Sequence, residues 1–395
     1  MPAAPLRTAG PPWCARSFTT RKERHWKPME AELRTDGPES TGPNPGNRLI
    51  IASFREGILS CITEGGIPVQ LNYEGDGSSL VGNIYAARVK RIALNIAAAF
   101  LDIGADTNVF YSLQQRTPTV WCDGKQHDRL REGDEILVKI RKDAHKTKFP
   151  AAVSGFAEAS DPELLETASH RKAPVLLKRA EPYWSFLANH LSWEGGYEIL
   201  TDLPRVFEAL TGKQPPEEGA WRKDLPAHLR KERPAARTRN GRFSVRFYAD
   251  PVLPLKSLYS LETAVSSATD RRVWLKSGGY LVIDPVEAMT VIDVNTGKTD
   301  KKGSKDDIIR LTDREAAEEA MRQLRLRNLS GIILIDFIDM KEEADREALM
   351  RLLRERAKND PNGTEIVDIT KLNLVEIVRR KKGRTLAEQL GSRKL

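Results

Sequence analysis

The sequence predicts a small all-β barrel followed by an α/β layered domain. Between Arg48 and Ile140, short strand-like segments recur about every ten residues with glycine turns between them, which is typical of a small barrel. From Val273 to Ile369, strand and helix patterns alternate, which indicates an α/β domain. The chain has 395 residues, enough for two or three domains and at least one sizeable core.

The barrel and the α/β domain are both read from apolar patterns. Barrel strands are predicted at 49–52, 58–62, 81–89, 97–104, 109–111 and 135–140. Strands of the α/β domain are predicted at 273–275, 280–283, 290–294, 331–337 and 365–369. The strand at 331–337 is of the buried type. Helices are expected from Lys305 to Asn328, with Ser304 as the cap, and from Lys341 to Lys358.

The remaining segments are less regular. Residues 1–46 hold eight of the 23 prolines and are of low complexity, so we expect a disordered N-terminal extension. Residues 175–191 show partial helical periodicity that Pro182 interrupts, and 197–201 have a strand pattern. Residues 214–240 are polar and basic, which predicts a surface excursion.

The composition excludes several classes of protein. The mean hydropathy is −0.47, and no segment approaches the roughly 18 apolar residues of a membrane span. Cys14, Cys61 and Cys122 form no CxxC pair, which argues against a disulfide framework and against a cysteine zinc site. We therefore expect a cytoplasmic protein.

Basic residues are concentrated in two segments. The chain carries 63 Lys and Arg against 55 Asp and Glu, a net charge of +8. Arg222–Arg246 holds nine basic and two acidic residues, and Lys371–Leu395 holds eight and two. Such segments favour a polyanionic partner. The alternative is a solvated face or a disordered basic tail.

Two apolar strands each carry an aspartate, Asp293 and Asp336. An ionised carboxylate in apolar surroundings is costly unless it is paired or bound to a metal. Strand ends in an α/β sheet face the ligand crevice, and Asn295 lies two residues after Asp293, on the same strand face. Two carboxylates and an amide oxygen suit Mg²⁺, which could activate water and neutralise charge at a phosphoryl centre.

Helix capping is the alternative role for an aspartate at a strand end. Asp339 has Glu342 three residues further on, the spacing of a capping box, so we predict that Asp339 caps the next helix. On spacing alone, capping and metal binding both stay open for Asp293 and Asp336.

Four motifs resemble the ribonuclease E/G family: RVWLKSGGY at 272–280, MTVIDVNTG at 289–297, RQLRLRNL at 322–329 and DFIDM at 336–340. The separation of 43 residues between Asp293 and Asp336 suits the catalytic aspartate pair of that family. Similarity is nearly continuous over 48–152 and 271–390, is weak over 153–270, and is absent from 1–46.

The resemblance implies a fold of class α/β and β. An OB-fold barrel of the ribosomal S-one type is inserted in an RNase H-like portion, and a DNase I-like α/β catalytic domain follows. The implied domains are the extension 1–46, the first RNase H-like segment 47–82, the OB-fold RNA-binding domain 83–155, the second RNase H-like segment with the basic insertion 156–280, and the catalytic domain 281–395.

The resemblance also implies an activity, which is Mg²⁺-dependent endonucleolytic cleavage of single-stranded, A/U-rich RNA. The products carry a 5′-phosphate and a 3′-hydroxyl, and the substrates are mRNA or rRNA precursors in RNA processing or decay. Asp293 and Asp336 would hold the metal, and Asn295 matches the residue that supports the first aspartate. These three residues are the implied catalytic set.

The implied RNA-binding residues of the barrel are Phe100, Phe110, Lys142 and Lys148. Bases stack on aromatic faces and lysines meet phosphates in OB folds that hold single strands. For Phe100, a place in the barrel core and a contact with RNA are equally open. For Phe110, which Tyr111 follows, exposure is favoured.

Two features depart from the family pattern. The printed chain has no counterpart of the family's CPxC-type zinc motif, so we expect any homo-oligomer to form without a zinc link. Leu200 stands where the 5′-monophosphate pocket has an arginine, and the pocket's second arginine falls near Gly363. We therefore expect little discrimination of 5′ ends, with Arg205 as a nearby substitute donor.

Two other functions remain as alternatives. One is a non-catalytic RNA-binding or ribosome-assembly factor, against which the presence of Asp293, Asn295 and Asp336 argues. The other is a metal-independent ribonuclease that uses histidine acid–base catalysis, but none of the six histidines lies near the carboxylate motifs in sequence. The product termini would distinguish them, because the histidine route leaves a cyclic phosphate and a binder leaves no products.

Overall fold

The computed structural model describes residues 47–75, 79–144, 148–190, 197–215, 236–238, 243–250, 252–297 and 304–391. The predicted N-terminal extension and most of the basic segment Arg222–Arg246 lie outside these residues. Across the described residues, no helix combines the length and the apolar character that crossing a membrane requires.

The described strands fall into three sheets. In chain order they are β1 (Arg48–Phe54), β2 (Gly57–Glu64), β3 (Ile67–Gly75), β4 (Ile84–Ala93), β5 (Ala98–Asp102), β6 (Val109–Ser112), β7 (Val120–Trp121), β8 (Glu135–Lys142), β9 (Ala151–Val153), β10 (Val175–Lys178), β11 (Glu198–Thr201), β12 (Ala236–Arg237), β13 (Ser244–Phe247), β14 (Arg272–Trp274), β15 (Tyr280–Pro285), β16 (Met289–Asn295), β17 (Gly331–Asp336), β18 (Thr364–Ile369) and β19 (Leu374–Arg379).

Eight described α-helices accompany these sheets. They are α1 (Pro162–His170), α2 (Tyr183–His190), α3 (Pro204–Thr211), α4 (Leu255–Leu258), α5 (Leu261–Thr269), α6 (Lys305–Leu326), α7 (Glu343–Lys358) and α8 (Leu386–Gln389). The predicted cap of α6 is confirmed, because the Ser304 hydroxyl accepts from the amide of Asp307 in a capping box.

The first sheet has the strand order β12-β13-β11-β1-β2-β3. The strand-spacing pattern grouped the segments 49–52 and 58–62 with the barrel strands, and this is wrong for both, because β1 and β2 belong to the first sheet. β1 pairs in parallel with β11, about 150 residues later, so the sheet is assembled from two distant parts of the chain. Apolar alternation shows that a segment is a strand but not which distant strand it joins.

The second sheet closes into a barrel, as the strand spacing predicted. β4 pairs with both β5 and β8, which closes the order β4-β5-β6-β9-β8, and this arrangement is consistent with an OB-like fold. The partial helical pattern over 175–191 divides at Pro182: β10 precedes it and joins β4, whereas α2 follows it.

The third sheet has the order β14-β15-β16-β17-β19-β18, and within it only β16 and β17 are parallel neighbours. α6 and α7 cover one face, where Ile292, Ile333 and Ile335 are fully buried. The other face is open, which corrects the expectation that 331–337 is buried on both sides. Ile332 on β17 is 49% exposed, because a mostly antiparallel sheet needs helices on only one face.

The basic segment Lys371–Leu395 contains regular structure, so the disordered-tail alternative is wrong as far as Gly391. β19 inserts between β17 and β18, and α8 contacts β3 through Gln389, which accepts from the Tyr73 amide at 2.8 Å. β19 is also anchored by Arg379, which is fully buried and pairs with Asp360 at 2.6 Å. Because a buried charge needs such a partner, this pair ties β19 to the loop after α7.

Candidate active site and nucleic-acid interface

Asp293 and Asp336 occupy the same register position on the parallel neighbours β16 and β17. Both side chains are exposed on the open face of the third sheet, while Ile292 and Ile335 beside them point into the core. Alternation along a strand produces this division, so the apolar residues that flank each aspartate serve the opposite face. Two carboxylates therefore meet on neighbouring strands at the carboxyl ends of both.

Asn295 orients the first carboxylate. Its Nδ2 donates to Oδ2 of Asp293 at 2.8 Å. The strand end that carries Asn295 is packed closely against a turn, since a Cβ at Gly279 would lie 2.7 Å from the Asn295 carbonyl oxygen. Gly297 has φ +63°, and a Cβ there would lie 2.3 Å from the Gly278 carbonyl oxygen. Side chains at these glycines would displace the strand end that holds the site.

The electrostatics of the pair favour a bound cation. Partial desolvation, followed by the nearby carboxylates of Asp293 and Asp339, raises the pKa of Asp336. A divalent ion would relieve this repulsion. Among the described residues, no group of three or more His, Cys, Asp or Glu side chains is placed to hold a metal ion. A pair still fits Mg²⁺, which is commonly held by one or two carboxylates together with water and substrate phosphate.

Asp339 does not cap α7, which corrects the sequence prediction. The N-cap residue is Glu342, and no side chain caps that end of the helix by hydrogen bonding. The Asp339 carboxylate instead accepts from Nδ2 of Asn373 at 2.6 Å. The capping-box spacing was misleading because the chain continues for three more residues before it turns into the helix.

Asp313 lies beneath this loop and was not identified from the sequence. Its side chain is fully buried on α6, and Oδ1 accepts from the Ile338 amide at 3.1 Å. Oδ2 is buried and has no hydrogen-bond partner among the described residues. Burial is the main cause that raises the pKa of Asp313 to about 7, and the charge of Asp339 adds to it. Asp313 therefore holds the backbone between Asp336 and Asp339.

Three of the four implied RNA-binding residues, Phe100, Phe110 and Lys142, lie in one row across the barrel. Phe100, Phe110, Ala151 and Lys142 are successive register partners across β5, β6, β9 and β8. Phe100 and Phe110 are half-buried, with ring centroids 6.3 Å apart, and Phe149 adds a third ring 5.5 Å from Phe100. The side chains of Lys142 and Lys148 are exposed. This row of rings and ammonium groups can bind bases and phosphates together.

Comparisons with known proteins identify ribonucleases as relatives of this chain. Residues 227–382, which contain the carboxylate pair, match the Ribonuclease E/G family. Ribonuclease G of Salmonella typhimurium is 30% identical over 385 residues, which cover 80% of this chain and 76% of the relative. The chain belongs to the ribonuclease E/G family. Ribonuclease E of Escherichia coli is 28% identical, with 86% of this chain and 37% of the relative covered.

In this member of the ribonuclease E/G family, neither expected position of the 5′-end pocket carries a donor side chain. Leu200 is 5% exposed and packs in a core beneath β1 and β2, and Gly363 has no side chain. Arg205 is exposed at the start of α3. Leu200 therefore contributes to core packing, and Gly363 contributes to a turn.

Sequence reasoning about this ribonuclease E/G chain missed two contributors to the site. The first is Asp313, whose only signal is a carboxylate on the apolar face of α6, between Ile309 and Ala316. The second is Asn373, which precedes β19, a strand that was not predicted although most of its residues are apolar. Both act through contacts between elements that are distant in sequence.

Proposed function

We propose that this protein is an endoribonuclease that hydrolyses phosphodiester bonds of single-stranded RNA with Mg²⁺ bound at Asp293 and Asp336. The observation that carries the proposal is the register pairing of these two carboxylates on an open sheet face in a chain of this family. Ribonucleases are the named relatives, which supports a role in RNA processing or decay. A/U-rich segments of mRNA or rRNA precursors are the proposed substrates.

The chain's own residues would act as follows. Asp293 and Asp336, at the carboxyl ends of β16 and β17, would hold the ion. Asn295 would orient the Asp293 carboxylate through its hydrogen bond to Oδ2. When bound, Mg²⁺ supplies a water of lowered pKa and neutralises charge at the phosphoryl group. Asp313 keeps the loop after β17 in position through the Ile338 amide.

The barrel would supply affinity for the RNA strand. Phe100 and Phe110 offer ring faces to successive bases, and Lys142 and Lys148 offer charge to the backbone. Stacking tolerates any base, so a preference for A/U-rich RNA would come from the unpaired state of such segments. Capture on the barrel and cleavage at the third sheet are then separable by mutation.

The finer architecture is part of the same proposal. We assign the first sheet to an RNase H-like portion, the barrel to the S-one type, and the third sheet with α6 and α7 to a DNase I-like domain. We further propose that the protein acts in the cytoplasm.

The test is an end-mapped cleavage assay. Purified protein is incubated with a labelled A/U-rich RNA with and without Mg²⁺, and the product ends are determined. We expect Mg²⁺-dependent products with 5′-phosphate and 3′-hydroxyl ends. Asp293→Asn and Asp336→Asn should each abolish cleavage while RNA binding and folding persist.

A matched control is available on the same sheet face. Asp284 on β15 is in register with Val291 and pairs with the exposed Arg271, away from the carboxylate pair. Asp284→Asn should therefore cut at the wild-type rate. RNA that is bound but never cut would favour the binding-factor alternative, and cyclic phosphate ends would favour histidine catalysis.

A further inference from the structure

An aromatic and basic cluster lies on the same open face as the carboxylate pair. Trp274 on β14 is 64% exposed, and its ring centroid is 5.3 Å from that of Tyr280 on β15. The Arg272 guanidinium lies over both rings, 4.5 Å from the Tyr280 centroid and 5.6 Å from the Trp274 centroid. The cluster thus presents an open indole and a cation together.

The core does not require this exposed tryptophan. Its neighbour Leu275 is buried and Val273 packs against the core beneath the sheet, whereas Trp274 points to the opposite, open side. Trp and Tyr combine a large apolar face with a polar group and are enriched at interaction surfaces. β14 is the edge strand of the sheet, so nothing in the described sheet covers the cluster from that side.

Strand register places the cluster beside the site. Arg272, Val282, Asp293 and Asp336 are successive partners in one row across the sheet, and Trp274, Tyr280 and Asn295 form the next row. Trp274 is two strands away from Asn295, a distance of about 10 Å at the usual strand spacing. At that separation, a base one or two nucleotides from a phosphate held at the carboxylate pair is within reach of these rings.

We infer that Trp274, Tyr280 and Arg272 form a stacking subsite for one nucleobase of the RNA strand next to the scissile phosphate. This inference rests on the proposed function, because the site of cleavage defines the position of the base. The indole provides the stacking face, and Arg272 provides a cation that complements the RNA backbone and stacks on rings. The subsite is separate from the barrel and acts at the point of cleavage.

The test couples an enzyme variant to a substrate variant. A labelled single-stranded RNA with one mapped cleavage site is prepared intact and as a series in which each nucleotide around the cut is abasic in turn. We expect Trp274→Ala to lower kcat/KM on intact RNA about tenfold, and wild type to lose a similar factor at one abasic position. On that one substrate, Trp274→Ala should cause no further loss.

Two more variants distinguish stacking by Trp274 from a role in folding and from the loss of any exposed ring. Trp274→Phe retains a ring and should recover most of the tenfold loss, which a role in folding alone would not explain. Phe186→Ala removes an exposed ring on α2, far along the chain from the site, and should cut intact RNA like wild type. Thermal melting and light scattering are recorded for each variant.

The outcomes separate the two proposals. If wild type neither binds nor cuts the RNA, the proposed function fails. The stacking subsite is refuted if wild type cuts the RNA but Trp274→Ala has the wild-type kcat/KM on all substrates. It is also refuted if the kcat/KM of Trp274→Ala falls by the same factor at every abasic position. A change in molecular mass on Trp274→Ala without an effect on cleavage would show that the cluster joins copies of the chain, which also refutes it.

Discussion

Asp339 accepts a 2.6 Å hydrogen bond from Asn373 and thereby joins the end of β17 to the turn that precedes β19. Asn373 has φ +67°, a left-handed conformation that asparagine tolerates better than most residues. The contact explains how a strand inserted late in the chain helps to shape the surroundings of the carboxylate pair.

Asp339→Asn should retain most activity. The new amide oxygen can still accept from Asn373, so the turn is kept, but one negative charge near Asp336 is lost. We expect the Mg²⁺ concentration for half-maximal cleavage to rise about fivefold, or roughly 1 kcal/mol. A Mg²⁺ titration measures this. An inactive Asp339→Asn protein beside a normally active Asp336→Asn protein would show that the wrong aspartate of this strand has been assigned.

Asn295→Ala should lower activity while the fold is retained. Without the donor on Oδ2, the Asp293 carboxylate is free to rotate, and outer partners of metal ligands are commonly worth about 10- to 100-fold in activity or metal affinity. Single-turnover cleavage across a range of Mg²⁺ concentrations measures the loss. Wild-type rates and Mg²⁺ dependence would contradict the orienting role.

Phe110→Ala should weaken binding of single-stranded RNA by roughly 1–3 kcal/mol, the scale of one stacked base, and binding should fall steeply with salt. Fluorescence anisotropy in Mg²⁺-free buffer measures the Kd without cleavage. Leu94→Ala is a suitable control, because Leu94 is 81% exposed on the same barrel and outside the aromatic row. An unchanged Kd for Phe110→Ala would exclude stacking.

The 5′ end of the substrate should matter little. A monophosphate pocket needs charge-assisted donors, and neither Leu200 nor Gly363 supplies one. RNAs with 5′-hydroxyl, 5′-monophosphate and 5′-triphosphate ends should therefore be cut at similar kcat/KM. A tenfold preference for the monophosphate, roughly 1.4 kcal/mol, would contradict this and direct attention to Arg205.

Asp313→Asn should stabilise the protein more at high pH than at low pH. The folded-state pKa of Asp313 is about 7 against an ordinary value of 3.8. The stability that this raised pKa provides is complete below the ordinary value and is lost as the pH rises through the folded value. Between pH 5 and pH 8, the unfolding free energy of the variant should rise by roughly 2 kcal/mol relative to that of the wild type. Urea unfolding at both pH values measures the difference, and parallel changes in the two proteins would contradict it.

Local sequence determined the helices and strands themselves and identified the residues whose side chains could take part in catalysis or binding. Alternation and helical periodicity located most strands and both long helices, and a capping box fixed the start of α6. Asp293 and Asp336 were noticed as carboxylates within apolar strands, although both side chains are exposed and their apolar neighbours serve the opposite face. These signals depend on neighbours within about one turn or one strand, which the sequence displays directly.

Only the tertiary structure decided which strands are neighbours and which faces stay open. The parallel pairing of β1 with β11, the insertion of β19 between β17 and β18, and the row from Arg272 to Asp336 all join distant segments. The same alternating pattern fits a strand in several sheets, because burial of a face depends on what packs against it. Asp339 was mistaken for a cap because its actual partner, Asn373, lies 34 residues later in the chain. The position of the exposed Trp274 near the carboxylates likewise follows only from the pairing of β14, β15 and β16.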